Sequence, residues 1–129
     1  MARRDAGLAT LTWTIVNGID KDSRREFRPR ALGLGPMLQS CGLAATAAFL
    51  QAKANGEKPV NRAYRATEKA LAQHVFASVG AQSPPATDLV AWLGQNDDPV
   101  TYRRATAAAR EFAAWLRRAA EALIPGGGG

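Results

Sequence analysis

Apolar residues recur along the chain at steps of three and four, the period of a helix with one buried face. Leu8, Leu11, Ile15 and Ile19 form the first stripe and predict a helix over residues 5–17, closed by Gly18 and the polar run that follows. The GLGP run at residues 33–36 reads as a breaker, with Pro36 suited to the first turn of a new helix. That central helix is expected over residues 36–54, with Met37, Cys41, Ala45, Ala48, Phe49 and Ala52 at helical spacing and Asn55-Gly56 as its stop. Gly42 would weaken its interior by about 1 kcal/mol, which calls for close approach of another helix.

A further helix is predicted over residues 62–79, with Tyr64, Thr67, Leu71, Val75 and Val79 inward and Gly80 as its cap. Residues 81–86, AQSPPA, read as a linker, and Thr87 as the N-cap of a short helix over 88–93. Asp97 or Asp98 then caps the last helix, with Pro99 at its first position. In that helix Tyr102, Thr106, Ala109, Ala113, Leu116, Ala120 and Leu123 follow an a/d-type seam. Ala105, Ala108, Phe112, Trp115 and Ala119 widen it into a broad, alanine-lined face for tight helix packing. With β-branched runs nearly absent, the expected class is all-α: a single compact bundle of five to six helices over residues 1–124, followed by a flexible Gly-rich tail at 125–129.

Length adds only that 129 residues suit one domain. Charge adds more. Seventeen Lys and Arg against eleven Asp and Glu give +6, and thirteen of the seventeen are arginine. Arginine binds phosphate bidentately and stacks on bases, so a polyanionic partner is indicated. A GC-rich genome would raise arginine and alanine as well, so composition alone leaves the partner open.

The basic residues are patterned. Lys21, Arg24, Arg25 and Arg28 stand at i, i+3, i+4 and i+7, one face of a helical turn, with Arg30 just beyond Pro29. Arg103, Arg110 and Arg117 are seven apart and line about 21 Å of the last helix. Such a strip could follow a phosphodiester backbone; it could equally be a solvated face with pairs such as Arg117–Glu121.

Candidate chemistry is sparse. His74 is the single histidine and has no obvious orienting carboxylate, and Cys41, the single cysteine, reads as a core residue. Asp97 and Asp98 read as helix-capping residues rather than a cation site, and no glycine loop has a phosphate-cradling pattern. No catalytic residue, metal or cofactor is expected. The N-terminal MARR followed by apolar residues superficially looks like a signal peptide, but its threonines, Asn17 and the lack of a small-residue cleavage pattern argue against one. No stretch has the apolar length to span a bilayer, and the cysteine usage suits a reducing cytosol, so a cytoplasmic protein without a membrane partner is expected.

The order of features resembles the small α-helical subunit of type III-B CRISPR–Cas (Cmr) effector complexes. The likeness rests on Pro36, Met37, Leu38, Gly42 and Leu43, on Ala48 to Leu50 with Ala52 and Lys53, and on a closing block. That block is Tyr102, Arg103, Thr106, Trp115, Leu116, Arg117, Arg118, Ala120 and Glu121. Cys41, where the family more often has a polar residue, and Phe27, where a tyrosine is expected, depart from the pattern. The resemblance implies a non-enzymatic helical subunit of an antiviral complex that stacks on copies of itself in a minor filament beside crRNA and target RNA. No small-molecule substrate is implied. On that reading, Lys21, Arg24, Arg25, Arg28, Arg30, Lys53, Arg103, Arg110 and Arg117 would contact RNA phosphates without reading bases. The small subunit of a type III-A complex, or a freestanding helical DNA-binding regulator, are the other readings of the same pattern. The regulator would need a three- or four-residue turn between short helices, which GLGP does not supply.

Overall fold

The computed structural model describes residues 2–80 and 88–126. These form six α-helices and no strand: α1 (Ala2–Asn17), α2 (Arg24–Cys41), α3 (Leu43–Lys53), α4 (Pro59–Ser78), α5 (Leu89–Gln95) and α6 (Pro99–Leu123). A 3₁₀ turn, Lys21–Ser23, leads into α2. The expected linker at 81–86, the expected cap Thr87 and the tail beyond Gly126 lie outside the described residues.

The longest helix is the axis of the bundle. α6 has 25 residues, about 37 Å of helix, and packs most extensively on α2, α1 and α4. Most of its predicted face is buried: Ala105, Ala109, Phe112, Leu116, Ala119 and Ala120 are fully enclosed, while Tyr102, Thr106, Trp115 and Leu123 are half-buried. Alanines around a central Phe112 let three helices approach closely. Asp98 starts the helix by accepting from Thr101 N at 3.0 Å, with Pro99 at the first position, which settles the choice between the two aspartates. The short helix α5 begins at Leu89, and its N-cap is Asp88, which accepts from Ala91 N at 2.8 Å.

α2 corrects the sequence reading most. GLGP is not a breaker, and the helix runs through Pro29, Gly33, Gly35 and Pro36 to Cys41. Each internal proline costs about 3 kcal/mol. Phe27, Ala31, Leu34 and Leu38 stand at steps of four, three and four and are all buried. Burying the three large side chains contributes about 1.5–3 kcal/mol each, a gain comparable to the cost of the two prolines. Gly35 helps twice. Lacking Cβ, it eases the clash that disfavours helix before a proline, and its open side lies against Ala113, whose Cβ would stand 3.9 Å from an added methyl.

The break falls at Gly42 instead, where φ is +85°. There the chain ends α2, with Gly42 N donating to Leu38 O at 2.9 Å, and immediately starts α3, with Thr46 N donating to Gly42 O at 3.1 Å. The residue expected to weaken the interior of one helix is the hinge between two. Moving the break there rotates the phase of α3. Leu43, Thr46, Ala47 and Leu50 face inward, while Cys41, Ala45, Ala48, Phe49 and Ala52, expected inside, are exposed.

α1 shows a smaller shift. Leu8, Thr12 and Val16 are buried and Leu11 is 39% exposed. Thr12 can replace an aliphatic residue because its hydroxyl donates to Leu8 O at 2.8 Å, leaving only methyl surface to pack. α4 starts three residues earlier than expected, at Pro59, and buries Ala63, Thr67, Ala70, Leu71 and Val75, while Tyr64 and Val79 are half-buried; Gly80, at φ +73°, follows its end.

Candidate nucleic-acid interface

The basic segment predicted at 21–30 folds as the 3₁₀ turn plus the first two turns of α2. Because α2 and α6 run antiparallel, this end of α2 meets the C-terminal end of α6. Lys21, Arg24, Arg25 and Arg28 line a cleft of about 680 Å³ there, completed by Glu26, Pro29, Ile124 and Pro125.

Two of these arginines also hold the fold. Arg24 donates from Nε to Ile19 O at 3.2 Å and from Nη2 to Asn17 O at 3.1 Å, placing a cation on the carbonyl end of α1. Arg28 donates from Nε to Ile124 O at 3.0 Å, fastening α2 to the end of α6. Lys21 and Arg25 are exposed.

Further along the α2–α6 seam a second groove, about 250 Å³, lies between Leu32, Gly35, Pro36 and Gln39 of α2 and Arg110, Ala113, Ala114 and Arg117 of α6. On α2, Arg25, Arg28, Leu32, Gly35 and Gln39 are three and four apart, so both grooves lie on one side of that helix. Arg103 sits two turns before Arg110 on the same face of α6 and is exposed. The seam therefore carries cations from the cleft at its one end to Arg103 toward the other. Arg117 is tied to Glu121 at 3.7 Å, so the helix-face pairing anticipated from sequence is present at that position. A surface pair of this kind is worth about 0–1 kcal/mol and yields readily to a phosphate.

Arg30 and Lys53 lie elsewhere. Arg30 stands over the Tyr64 ring, 4.9 Å from its centroid, and pairs with Glu26 at 3.3 Å. Lys53 lies over Phe49 at 5.7 Å. These two face the α2–α3–α4 side, away from the track. Sequence reasoning missed Arg118, which covers the half-buried Trp115 at 4.7 Å, and it missed the exposure of Phe49.

The other candidates have structural surroundings. His74 is half-buried and stacks on Phe112, ring centroids 5.2 Å apart, with Ser78 Oγ 3.3 Å from its Nε2. Among the described residues no group of three or more His, Cys, Asp and Glu is gathered to hold a metal ion, and no helix is long and apolar enough to cross a membrane. Glu68 has its carboxyl raised above the usual range, first by burial and then by the nearby charge of Asp88.

What remains is an all-α protein with a line of cations along one helix pair. Residues 5–123 match the family described as "CRISPR-associated protein (Cas_Cmr5)". The chain belongs to that family and is a small subunit of the Cmr, or type III-B, CRISPR–Cas system. Among its relatives is the protein named "CRISPR system Cmr subunit Cmr5" of Thermotoga maritima (strain ATCC 43589 / DSM 3109 / JCM 10099 / NBRC 100826 / MSB8). It is 32% identical over 121 residues, covering 92% of this chain and 83% of the relative.

Proposed function

We propose that this subunit acts in the cytoplasm as a non-catalytic support for RNA, gripping phosphates along the α2–α6 seam while other subunits of the type III-B effector carry the chemistry. The observation that carries the reading is the alignment of Arg103, Arg110 and Arg117 with the cleft formed by Lys21, Arg25 and Arg28 at the end of the same seam. Phosphate contacts of this kind position a strand without reading its sequence. A track of this length engages few phosphates, so one copy binds weakly. Copies stacked side by side join their tracks and gain avidity, with crRNA and target RNA lying along them. The outer face of α1, where a groove lies beside Trp13, supports a copy-to-copy contact.

The test is the salt dependence of single-stranded RNA binding by fluorescence anisotropy. Each neutralised phosphate contributes about 0.7 to the log–log slope, so the triple change Arg25→Ala, Arg110→Ala, Arg117→Ala should lower it by roughly 2. Arg30→Ala with Lys53→Ala should leave it nearly unchanged. A slope insensitive to the triple change removes the seam from the RNA path.

A further inference from the structure

α3, LAATAAFLQAK, is apolar on both sides. Its inner side packs on α4, α2 and α5. Its outer side presents Ala45, Ala48, Phe49 and Ala52 to solvent, with Phe49 37% exposed. A helix without a polar face belongs inside a larger assembly. Beside it lies a groove of about 270 Å³, its lining dominated by carbon: Gly33, Leu34 and Met37 of α2, Phe49 and Leu50 of α3, and Tyr64 of α4.

Gly33 lies in the wall of this groove. Glycine weakens a helix interior. Gly35 has a neighbour that explains it, Ala113, whereas a Cβ on Gly33 would meet nothing within 4 Å. This chain supplies no reason for the missing side chain, and the vacant space is the groove itself. A bare backbone there admits a ligand close to the wall of α2.

The rim carries charge. Arg30 lies over the Tyr64 ring and Lys53 over the Phe49 ring, with Glu26 the carboxylate that meets Arg30. We propose that this groove receives a segment of a different protein chain presenting one large apolar side chain flanked by carboxylates. The site is distinct from the α2–α6 seam and does not depend on RNA being held there. A second copy seated groove to groove is disfavoured because it brings the same Arg30 and Lys53 to meet their like. A nucleobase is disfavoured because Leu34, Met37 and Leu50 would leave its hydrogen-bonding edge unsatisfied.

The experiment is an amide NMR titration of the full chain with three probes. They are a short helical peptide bearing a phenylalanine between glutamates, the same peptide with lysines for glutamates, and a single-stranded RNA oligonucleotide. The glutamate peptide should shift the amides of Gly33, Phe49 and Tyr64, and the lysine peptide should not. Gly33→Leu places its Cβ in open space and its side chain in the groove, and should weaken the glutamate peptide about tenfold or more, while raising the melting temperature through better helix propensity. Lys53→Glu, a surface change, should weaken the glutamate peptide and favour the lysine one. Equal binding of both peptides, no binding of either, RNA shifting these amides in their place, or loss of self-association in Gly33→Leu by sedimentation would each overturn the proposal.

Discussion

Thr46 is fully buried in α3, and its Oγ1 meets no hydrogen-bond partner among the described residues. A buried hydroxyl without a partner costs about 1–3 kcal/mol, and valine has nearly the same shape. Thr46→Val should therefore raise the denaturation midpoint in urea with an unchanged slope. Glu68 bears on stability through pH. Its carboxyl is raised by burial and by Asp88, so the folded state holds the proton more tightly than the unfolded chain. Stability then falls as pH rises from the ordinary glutamate range through the raised value, and the penalty persists at neutral pH. Glu68→Gln should melt higher than the parent at neutral pH, and the difference should disappear below about pH 4, where both states are protonated. Neither residue was legible in sequence. A threonine on the inner side of a helix looks the same whether or not a carbonyl is in reach, as satisfied Thr12 and Thr67 illustrate. Burial of Glu68 depends on what packs across it.

At the scale of elements, helix starts with chemical punctuation were readable. Asp98-Pro99 opens α6 where the capping rule puts it, and Gly80 follows the end of α4. α2 was not readable, because proline and glycine rules describe local cost while the buried set Phe27, Ala31, Leu34, Leu38 supplies a tertiary gain. The error at Pro36 then carried forward. Placing one helix across Gly42 puts Cys41 and Phe49 inside, and placing the hinge there puts them outside. The hinge has a direct check. Gly42→Ala forces an L-residue to φ +85°, and the added methyl faces the Tyr102 hydroxyl at 3.9 Å. That hydroxyl accepts from Ala44 N at 3.0 Å and ties the start of α3 to α6. The substitution should cost about 1–3 kcal/mol in chemical denaturation, and Tyr102→Phe should lose less than Gly42→Ala.

For the whole molecule, the all-α class and the family were legible from the period of the apolar positions and from the two sequence blocks around residues 36–53 and 102–121. The division of basic residues between faces was not. One-dimensional spacing grouped Arg30 with Arg28, yet two positions along a helix is about 200° of rotation, which sends one to the end of α6 and the other over Tyr64. It also could not anticipate that Arg28 spans 96 positions to hold Ile124 O. Ile124 is itself buried, so Ile124→Ala should cost about 2–5 kcal/mol and loosen the basic cleft it helps to wall.

The helix on which α1, α2 and α4 lean is also the one translated after them. While the ribosome is still making residues before Pro99, α2, α3 and α4 can meet one another, but α1 lacks its main partner and the faces that α6 covers stay in water or in the care of a chaperone. Assembly of the bundle is therefore gated by release of the alanine-rich segment, and a nascent chain halted at Asp98 should be cut readily by protease where one carrying Leu123 clear of the exit tunnel resists.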